Sequence, residues 1–323
     1  MAEISFELYN NQLVQQLVGP QDANLKLLEQ LLNVTIGSFG NQITVQGDAE
    51  AIEQARTAID MLYNKVSRGI DVNEQEVKAA VRLSDEGAAK IDENNLNDIV
   101  LKTKKRHIYP RSATQAQYIQ EMLNNELVFG LGPAGTGKTY LAVALAVSMM
   151  LEGRIDKIIL SRPAVEAGEN LGFLPGDLKD KVDPYLRPLY DALYEMLPAE
   201  QVDKKLAIGE IEIAPLAFMR GRTLSNAFII LDEAQNTTPM QMKMFLTRLG
   251  ENSRMVVNGD LSQVDLPRGV ISGLKDALDT LHHVNNIGSV TFSASDVVRH
   301  GLVAKIVKAY EEKIKKQRGD DEA

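Results

Sequence analysis

The chain of 323 residues is long enough for two domains, since one domain usually takes about 100–200 residues. Its composition, 44% apolar and 24% charged residues, excludes wholesale disorder and fibrous repeats. The sequence contains no cysteine, which excludes disulfides, iron–sulfur clusters and cysteine nucleophiles, and its four scattered histidines do not suggest a metal site.

The start of the chain and its charge distribution predict a soluble cytoplasmic protein with no membrane partner. No basic start precedes an apolar stretch, so no signal peptide is expected, and the longest apolar run, after Tyr140, is too short to span a bilayer. The first 100 residues carry 16 Asp and Glu against 7 Lys and Arg, whereas the remaining 223 residues are neutral. The acidic third is a poor match for nucleic-acid phosphates, and the rest can carry basic patches.

Residues 1–66 predict a small α/β domain, because short alternating runs and leucines at helical spacing follow one another there. The predicted elements are a strand at 4–8, a helix at 22–32 with Asp22 as its N-cap, strands at 34–36 and 42–46, and a helix from Asp48. This order resembles a KH-like domain. The resemblance places the family's RNA-clamping GXXG loop at 19–22, where Asp22 replaces the second glycine. That departure and the negative charge favour a role in protein contacts or assembly over RNA binding.

Residues 67–111 predict a helical connector followed by a basic linker. Five cations lie between Lys102 and Arg111, with His107 and Tyr109 among them. Most charge runs are solvated, but cations also neutralise phosphates and a tyrosine can stack on a base. A solvated linker and a nucleic-acid contact therefore remain alternatives.

From residue 112 to residue 318, alternating strand and helix patterns predict a parallel α/β sheet. The predicted strands are 127–130, 157–161, 211–215, 228–231 and 255–259, with a sixth at 289–292.

The segment GPAGTGKT, residues 132–139, fits the phosphate-binding pattern G-x-x-x-x-G-K-[ST] between an apolar strand and an apolar helix. Its glycines allow backbone N–H groups to turn towards an anion, and the helix adds its positive end. We expect Lys138 to reach the β- and γ-phosphates and Thr139 to bind Mg²⁺. The predicted nucleotide contacts in this segment are Gly132, Pro133, Ala134, Gly135, Thr136, Gly137, Lys138, Thr139 and Tyr140. An overlapping GxGxxG at Gly130 leaves Lys138 and Thr139 unexplained, so no dinucleotide fold is predicted.

Two further strands end in polar residues. The apolar run 228–231 leads into Asp232, predicted to hold the metal, and Glu233, predicted to polarise the attacking water. Asp260 and Gln263 follow the next strand, and an amide at that sheet edge can donate to the γ-phosphate. We therefore predict Lys138, Asp232, Glu233 and Gln263 as catalytic residues.

These motifs resemble those of a known family. The P-loop, Asp232-Glu-Ala-Gln235 and Gly259-Asp-x-x-Gln263 are similar to motifs I, II and III of superfamily 1 helicases, which have a RecA-like P-loop NTPase core. The segment 161–177, SRPAVEAGENLGFLPGD, and Tyr185-Leu-Arg-Pro188 resemble the PhoH family of bacterial P-loop ATPases, in the branch with a KH-like N-terminal domain. The resemblance covers residues 112–310. It implies a cytoplasmic ATPase linked to RNA metabolism, with a proposed endoribonuclease partner in ribosomal RNA maturation.

By the same resemblance, Gln115 matches the glutamine that reads adenine in helicase-like proteins, with Gln117 as its substitute. An amide both donates to and accepts from the adenine edge, which favours ATP as the ligand. The sequence contains no N-K-x-D motif for guanine, which points the same way.

The 192 residues from Gly132 to Ala323 have room for one core, whereas a superfamily 1 helicase completes its site between two. Phosphoryl transfer is often assisted by an arginine given in trans. We therefore expect a neighbouring subunit to supply it, within a homo-oligomer that closes as a hexameric ring. The candidates are Arg299, which is favoured, Arg248 and Arg254.

Two clusters of cations and aromatic residues predict a path for single-stranded RNA, with packing and solvated charge as the alternative. The first comprises Arg162, Phe173, Lys179, Lys181, Tyr185 and Arg187, and the second Phe218, Arg220 and Arg222. The leading function is an ATP-driven RNA remodelling factor. The alternatives are a regulatory ATPase switch acting on a nuclease partner and a small-molecule kinase.

Overall fold

The computed structural model of the chain describes residues 2–85, 99–163 and 178–297, with the side chains of the last range described from Leu186. Contacts divide the chain into two compact units. The first comprises the described residues of 2–102 together with 106–119, and the second comprises 103–105 and the described residues from 120 onward. No helix within these ranges is both long and apolar enough to cross a bilayer.

The first unit contains a three-stranded antiparallel sheet covered by helices. Its strands are β1 (Ala2–Glu7), β2 (Thr35–Phe39) and β3 (Gln42–Gly47), in the order β1–β3–β2. Its helices are α1 (Asn11–Val18), α2 (Ala23–Leu32), α3 (Ala49–Ser67) and α4 (Glu74–Asp85). Alanines and branched residues of α3 pack with the inward face of β3 in one apolar core.

The predicted strands and helices of this unit are confirmed, but helix α1 was missed. It begins after Asn10, whose side chain accepts a hydrogen bond from the Gln12 N–H at 2.9 Å, and it buries Val14, Leu17 and Val18. The expected cap at Asp22 is wrong. Gln21 and Asp22 have positive φ angles of 53° and 60°, and the Asp22 side chain makes no capping bond to α2.

A short antiparallel pair and a helix follow along the chain. The pair is β4 (Leu101–Lys102) with β5 (His107–Ile108), and the helix is α5 (Ala113–Asn124).

The second unit contains a parallel sheet of six described strands, as the sequence predicts. The strands are β6 (Leu127–Leu131), β7 (Lys157–Arg162), β8 (Ile211–Pro215), β9 (Ala227–Leu231), β10 (Arg254–Gly259) and β11 (Ile287–Thr291). Their order across the sheet is β11–β6–β10–β9–β7–β8. The helices are α6 (Lys138–Leu151), α7 (Leu178–Met196), α8 (Ala199–Ala207), α9 (Pro239–Leu246) and α10 (Gly273–Leu281).

The strand register brings the ends of four strands to one edge of the sheet. Gly259 of β10 pairs with Leu131 of β6, and Leu231 of β9 pairs with Val257 on one side and Ser161 of β7 on the other. The residues that follow these strands therefore meet at the carboxyl edge, where parallel α/β folds bind their ligands.

The first glycine of the P-loop is required by packing as well as by phosphate binding. Gly132 has a φ of 127°, and a Cβ atom there would lie 2.3 Å from the backbone oxygen of Phe292. Its N–H also donates to the Gly259 oxygen at 3.1 Å. The start of the loop is thereby fixed between β10 and the segment that follows β11.

Candidate functional site

The P-loop forms one wall of a cavity of about 230 Å³ at the carboxyl edge of the sheet. Gly135 and Gly137 have φ angles of 84° and 87°, which residues with a side chain rarely adopt. Helix α6 begins at Lys138, so its first N–H groups, which lack intrahelical partners, lie at this cavity. The lining residues are Ala134, Gly135, Gly137, Lys138, Thr139, Tyr140, Asp232, Glu233, Gly259, Asp260 and Gln263.

Lys138 is a buried cation held by its own loop. Its Nζ donates to the backbone oxygens of Gly132 at 2.6 Å and Pro133 at 2.8 Å, and the side chain is only 9% exposed. Burial lowers the pKa of the ammonium, whereas the charges of Asp232, Asp260 and Glu233 act in the opposite direction. The carbonyl oxygens that hold Nζ are neutral acceptors, which phosphate oxygens outcompete as partners of a cation.

Thr139 and Asp232 are joined across the cavity. The Thr139 hydroxyl donates to Asp232 Oδ1 at 2.6 Å. Burial raises the pKa of the Asp232 carboxyl, and the charge of Arg162 and the Thr139 hydrogen bond oppose that shift. Burial therefore disfavours the ionised form of Asp232 more than these partners favour it, and a cation at this position would stabilise that form.

The donor set fits a magnesium ion shared with a nucleotide. Mg²⁺ is usually held by one or two carboxylates together with phosphate oxygens and waters. Thr139 and Asp232 supply a hydroxyl and a carboxylate beside the phosphate loop. The described residues contain no cluster of three or more acidic or histidine side chains that would hold a metal unaided.

Glu233 lies next to Asp232 with both carboxylate oxygens engaged. Its backbone is left-handed, with a φ of 53°. Arg162 Nη2 donates to Oε1 at 2.8 Å, and Gln235 Nε2 donates to Oε2 at 2.6 Å. The same Arg162 nitrogen lies 3.5 Å from Asp232 Oδ2. Arg162, at the end of β7, thus contacts both carboxylates of the acidic pair.

Gln235 links the segment after β9 to the segment after β10, and our sequence reasoning did not assign it a role. Its Oε1 accepts from the Asp260 N–H at 3.1 Å, and its Nε2 donates to the Gln263 oxygen at 3.2 Å. The residue is 1% exposed. The sequence did contain a signal, because Gln235 belongs to the segment Asp232-Glu-Ala-Gln235, which resembles a helicase motif.

Gln263 lines the cavity with an exposed side chain. Its Nε2 donates to Asp260 Oδ2 at 2.7 Å, and Asp260 also accepts from the N–H and hydroxyl of Ser262. The amide is therefore held near the P-loop by a carboxylate, and its role towards a γ-phosphate stays a prediction.

The structure does not test the roles predicted for the other site residues. Gln115 belongs to the first unit, where it is buried and its Oε1 accepts from the Arg111 N–H at 2.7 Å, while Gln117 is exposed. Arg299 and Phe173 lie outside the described residues, as do the side chains of Lys179, Lys181 and Tyr185. The adenine-reading role of Gln115 and the catalytic role of Arg299 stay predictions.

Two candidate trans arginines have structural partners of their own. Arg248 donates to the backbone oxygens of Met244 at 2.9 Å and Arg222 at 2.8 Å. Arg254 donates to the backbone oxygens of Met122 and Asn125 at 3.1 and 2.7 Å. Both guanidinium groups thus make hydrogen bonds within the chain, and a role in trans for either stays a prediction.

Several residues of the basic linker and of the second predicted RNA cluster already have partners within the chain. Tyr109 lies against Lys65, 5.8 Å from Nζ to the ring centre, and Arg111 pairs with Glu76 at 3.5 Å. Arg222 makes two hydrogen bonds to Glu212, whereas Phe218 and Arg220 are exposed.

The parallel sheet, the P-loop and the acidic strand end together define a nucleotide-binding P-loop α/β protein. The family model described as PhoH-like protein matches residues 107–311. The chain belongs to the PhoH-like protein family, as its motifs predict.

Two relatives are similar in sequence to most of this chain. It is 51% identical over 296 residues to the PhoH-like protein of Bacillus subtilis (strain 168), covering 91% of this chain and 93% of that protein. It is 48% identical over 205 residues to Protein PhoH of Escherichia coli (strain K12), covering 63% and 58% of the two chains.

Among solved structures, a similar fold is that of the Sulfolobus solfataricus SWI2/SNF2 ATPase core in complex with dsDNA. The match has a TM-score of 0.30 and 17% identity and covers 45% of this chain and 30% of that chain. So distant a likeness says nothing about function.

We predict that Asp232→Asn stabilises the nucleotide-free protein while weakening binding of MgATP. Burial raises the pKa of Asp232 in the folded protein above that in the unfolded chain, so ionisation lowers stability as the pH rises from about 4 towards neutrality. An amide avoids this penalty, can still accept from Thr139, and leaves Arg162 paired with Glu233. Calorimetry at pH 7 should give a higher melting temperature, by about 2–4 °C for each kcal/mol recovered.

The difference between the variant and the parent protein should shrink as the pH falls to about 4, near the ordinary pKa of aspartate, because burial raises the pKa of Asp232 and its carboxyl is then largely protonated in the folded protein. A variant that melts lower than the parent at both pH values would contradict this account of Asp232.

Proposed function

We propose that this protein hydrolyses ATP with Mg²⁺ and couples hydrolysis to the binding or remodelling of RNA. The observation that carries the proposal is the position of Glu233, a carboxylate that lines the phosphate cavity directly beside Asp232. A P-loop alone binds nucleotide, whereas a second carboxylate at the cavity can take a proton from an attacking water.

Each residue of the cavity has one task in this mechanism. The N–H groups of the P-loop and the start of α6 bind the phosphates, and Lys138 transfers its hydrogen bonds from loop carbonyls to phosphate oxygens. Thr139 and Asp232 provide oxygen ligands for Mg²⁺, which when bound would withdraw charge from the phosphate oxygens. Glu233 orients water and accepts its proton, and Gln263 donates towards the γ-phosphate.

We predict that Glu233→Gln still binds MgATP but hydrolyses it about 100-fold more slowly or worse, because an amide cannot accept the proton. The measurements are nucleotide affinity by titration calorimetry and phosphate release under saturating ATP. Glu251→Gln is the matched control, since Glu251 is exposed and precedes β10, at the opposite edge of the sheet. Hydrolysis by Glu233→Gln at the parent rate would refute Glu233 as the base.

The coupling to RNA is supported by cations and an aromatic residue exposed on the second unit. Arg187, Phe218 and Arg220 all present exposed side chains, and phosphate neutralisation with base stacking is how single strands are bound. The linker cations Lys102, Lys104 and Arg106 are exposed as well.

We predict that single-stranded RNA accelerates ATP hydrolysis and that its affinity falls as salt increases. Arg220→Ala should reduce the slope of log affinity against log salt by about 0.7, the contribution of one phosphate contact on a single strand. Arg222→Ala is the matched control, because that guanidinium is already paired with Glu212. ATPase rates that stay flat with RNA across the salt series would remove this part of the proposal.

A regulatory switch is the second candidate, and the first 100 residues favour it. That segment carries excess negative charge and has Asp22 where a clamp for RNA would need glycine. In this version the ATPase cycle controls an endoribonuclease partner without movement along RNA. Unwinding of a tailed RNA duplex distinguishes the two functions, and release of free phosphate distinguishes both from a kinase.

We further propose that the protein works in the cytoplasm as a homo-oligomer, in a hexameric ring, with Arg299 reaching the site of the next subunit. The structural ties of Arg248 and Arg254 support Arg299 among the three candidates.

We predict that Lys138→Ala and Arg299→Ala chains, each inactive alone, recover ATPase activity when they are co-assembled. When equal amounts of the two chains assemble at random in a ring, about one quarter of the sites contain an intact Lys138 and an intact arginine from the neighbouring subunit. The expected rate is therefore about one quarter of the parent rate. Failure to recover any activity in verified mixed oligomers would count against a shared site.

A further inference from the structure

We propose that Arg162 is a positioning residue that restrains Glu233 until RNA phosphates draw its guanidinium away. The inference rests on the proposed function, in which Glu233 accepts the proton of the attacking water. It adds a residue that makes hydrolysis depend on the nucleic-acid ligand.

The Glu233 carboxylate accepts hydrogen bonds from two side chains. Arg162 Nη2 donates to Glu233 Oε1 at 2.8 Å, and Gln235 holds the second oxygen at 2.6 Å. The carboxylate therefore accepts hydrogen bonds through both oxygens, from Arg162 on one side and Gln235 on the other. A carboxylate held by two donors cannot turn towards an attacking water until one of the donors leaves.

The position of Arg162 in the fold connects this contact with Glu233 to the proposed RNA path. Arg162 is the last residue of β7, the strand that pairs with β9, and Asp232 and Glu233 directly follow β9. The Asp232 N–H donates to the Ser161 oxygen at 2.9 Å, which fixes the two strand ends side by side. A ligand that moves this one side chain therefore acts on the acidic pair without any change in the sheet.

The ion pair between Arg162 and Glu233 is weak enough to break when another anion binds Arg162. The Arg162 side chain is 18% exposed and that of Glu233 is 40% exposed, so the ion pair is open to competition from solvent. Partly exposed pairs are worth about 1 kcal/mol or less. The guanidinium presents a planar fork of donors that matches the two free oxygens of a phosphodiester as well as those of a carboxylate, so RNA can replace Glu233 as its partner.

The test compares Arg162→Ala with Arg187→Ala. Both remove a cation of the same predicted RNA path, but Arg187 is exposed and none of its described hydrogen bonds or ion pairs involves Glu233. Without RNA and at saturating Mg²⁺, Arg162→Ala should hydrolyse ATP about five-fold faster than the parent protein, which corresponds to a pair worth about 1 kcal/mol. Arg187→Ala should bind RNA more weakly. The control for the basal rate is Arg154→Ala, because Arg154 is exposed and precedes β7, at the edge of the sheet opposite the site.

A purely structural role for Arg162 would not change the ratio of RNA-stimulated to basal activity. The proposal requires that ratio to fall towards one in Arg162→Ala, while Arg162→Lys, which keeps a cation beside Glu233, restores part of it. Saturating Mg²⁺ matters because loss of the 3.5 Å contact with Asp232 also removes a charge that stabilises that carboxylate. A variant that melts at the parent temperature and binds MgATP but hydrolyses it more slowly would overturn the restraint.

The failure of this inference is distinguishable from failure of the proposed function. If Glu233→Gln keeps the parent rate, the base is assigned wrongly and the proposed function fails. If Glu233→Gln is inactive and Arg162→Ala is slow or unchanged, only the restraint is refuted.

Discussion

The buried charge of Lys138 is the constraint on which the site depends. Its ammonium is held by two neutral carbonyl oxygens of its own loop, and burial disfavours its charged form. Asp232, Asp260 and Glu233 compensate from the neighbouring strand ends, but none of these carboxylates bonds to Nζ in the described contacts. The cavity thus contains a cation that bonds to none of its neighbouring carboxylates in the described contacts, and a phosphate chain would give this cation charged partners.

The parallel register determines which residues share this cavity. Because β10 lies between β6 and β9, the turn after β10 lines the same cavity as the P-loop and the acidic pair. The side chain of Gln235 accepts a hydrogen bond from the Asp260 N–H in that turn, and Arg162 donates to Glu233 from the end of β7. A few hydrogen bonds thus connect the nucleotide cavity to the end of β7. Our proposal for Arg162 requires that these bonds couple the two sites in both directions.

The P-loop, Asp232 and Glu233 were predictable because each lies directly after a strong apolar strand and the pattern needs no knowledge of long-range contacts. The parallel sheet was predictable for the same reason. Helix α1 was not predictable in this way. Its eight residues mix glutamines with two short apolar pairs, so the helical periodicity of its apolar residues is weak, although Asn10 marked its start. The partners of Arg162, Arg248 and Arg254 depend on which strands are neighbours, and sequence spacing does not encode strand order.

The most direct measurement is a crystal structure of the protein with Mg²⁺ and a nonhydrolysable ATP analogue. Our account predicts that Lys138 Nζ leaves the Gly132 and Pro133 oxygens for the β- and γ-phosphates, that Thr139 coordinates the metal, and that the Thr139–Asp232 hydrogen bond is replaced by metal contacts. A nucleotide bound away from this cavity, or a phosphate chain with Lys138 still bonded to its own loop, would contradict it.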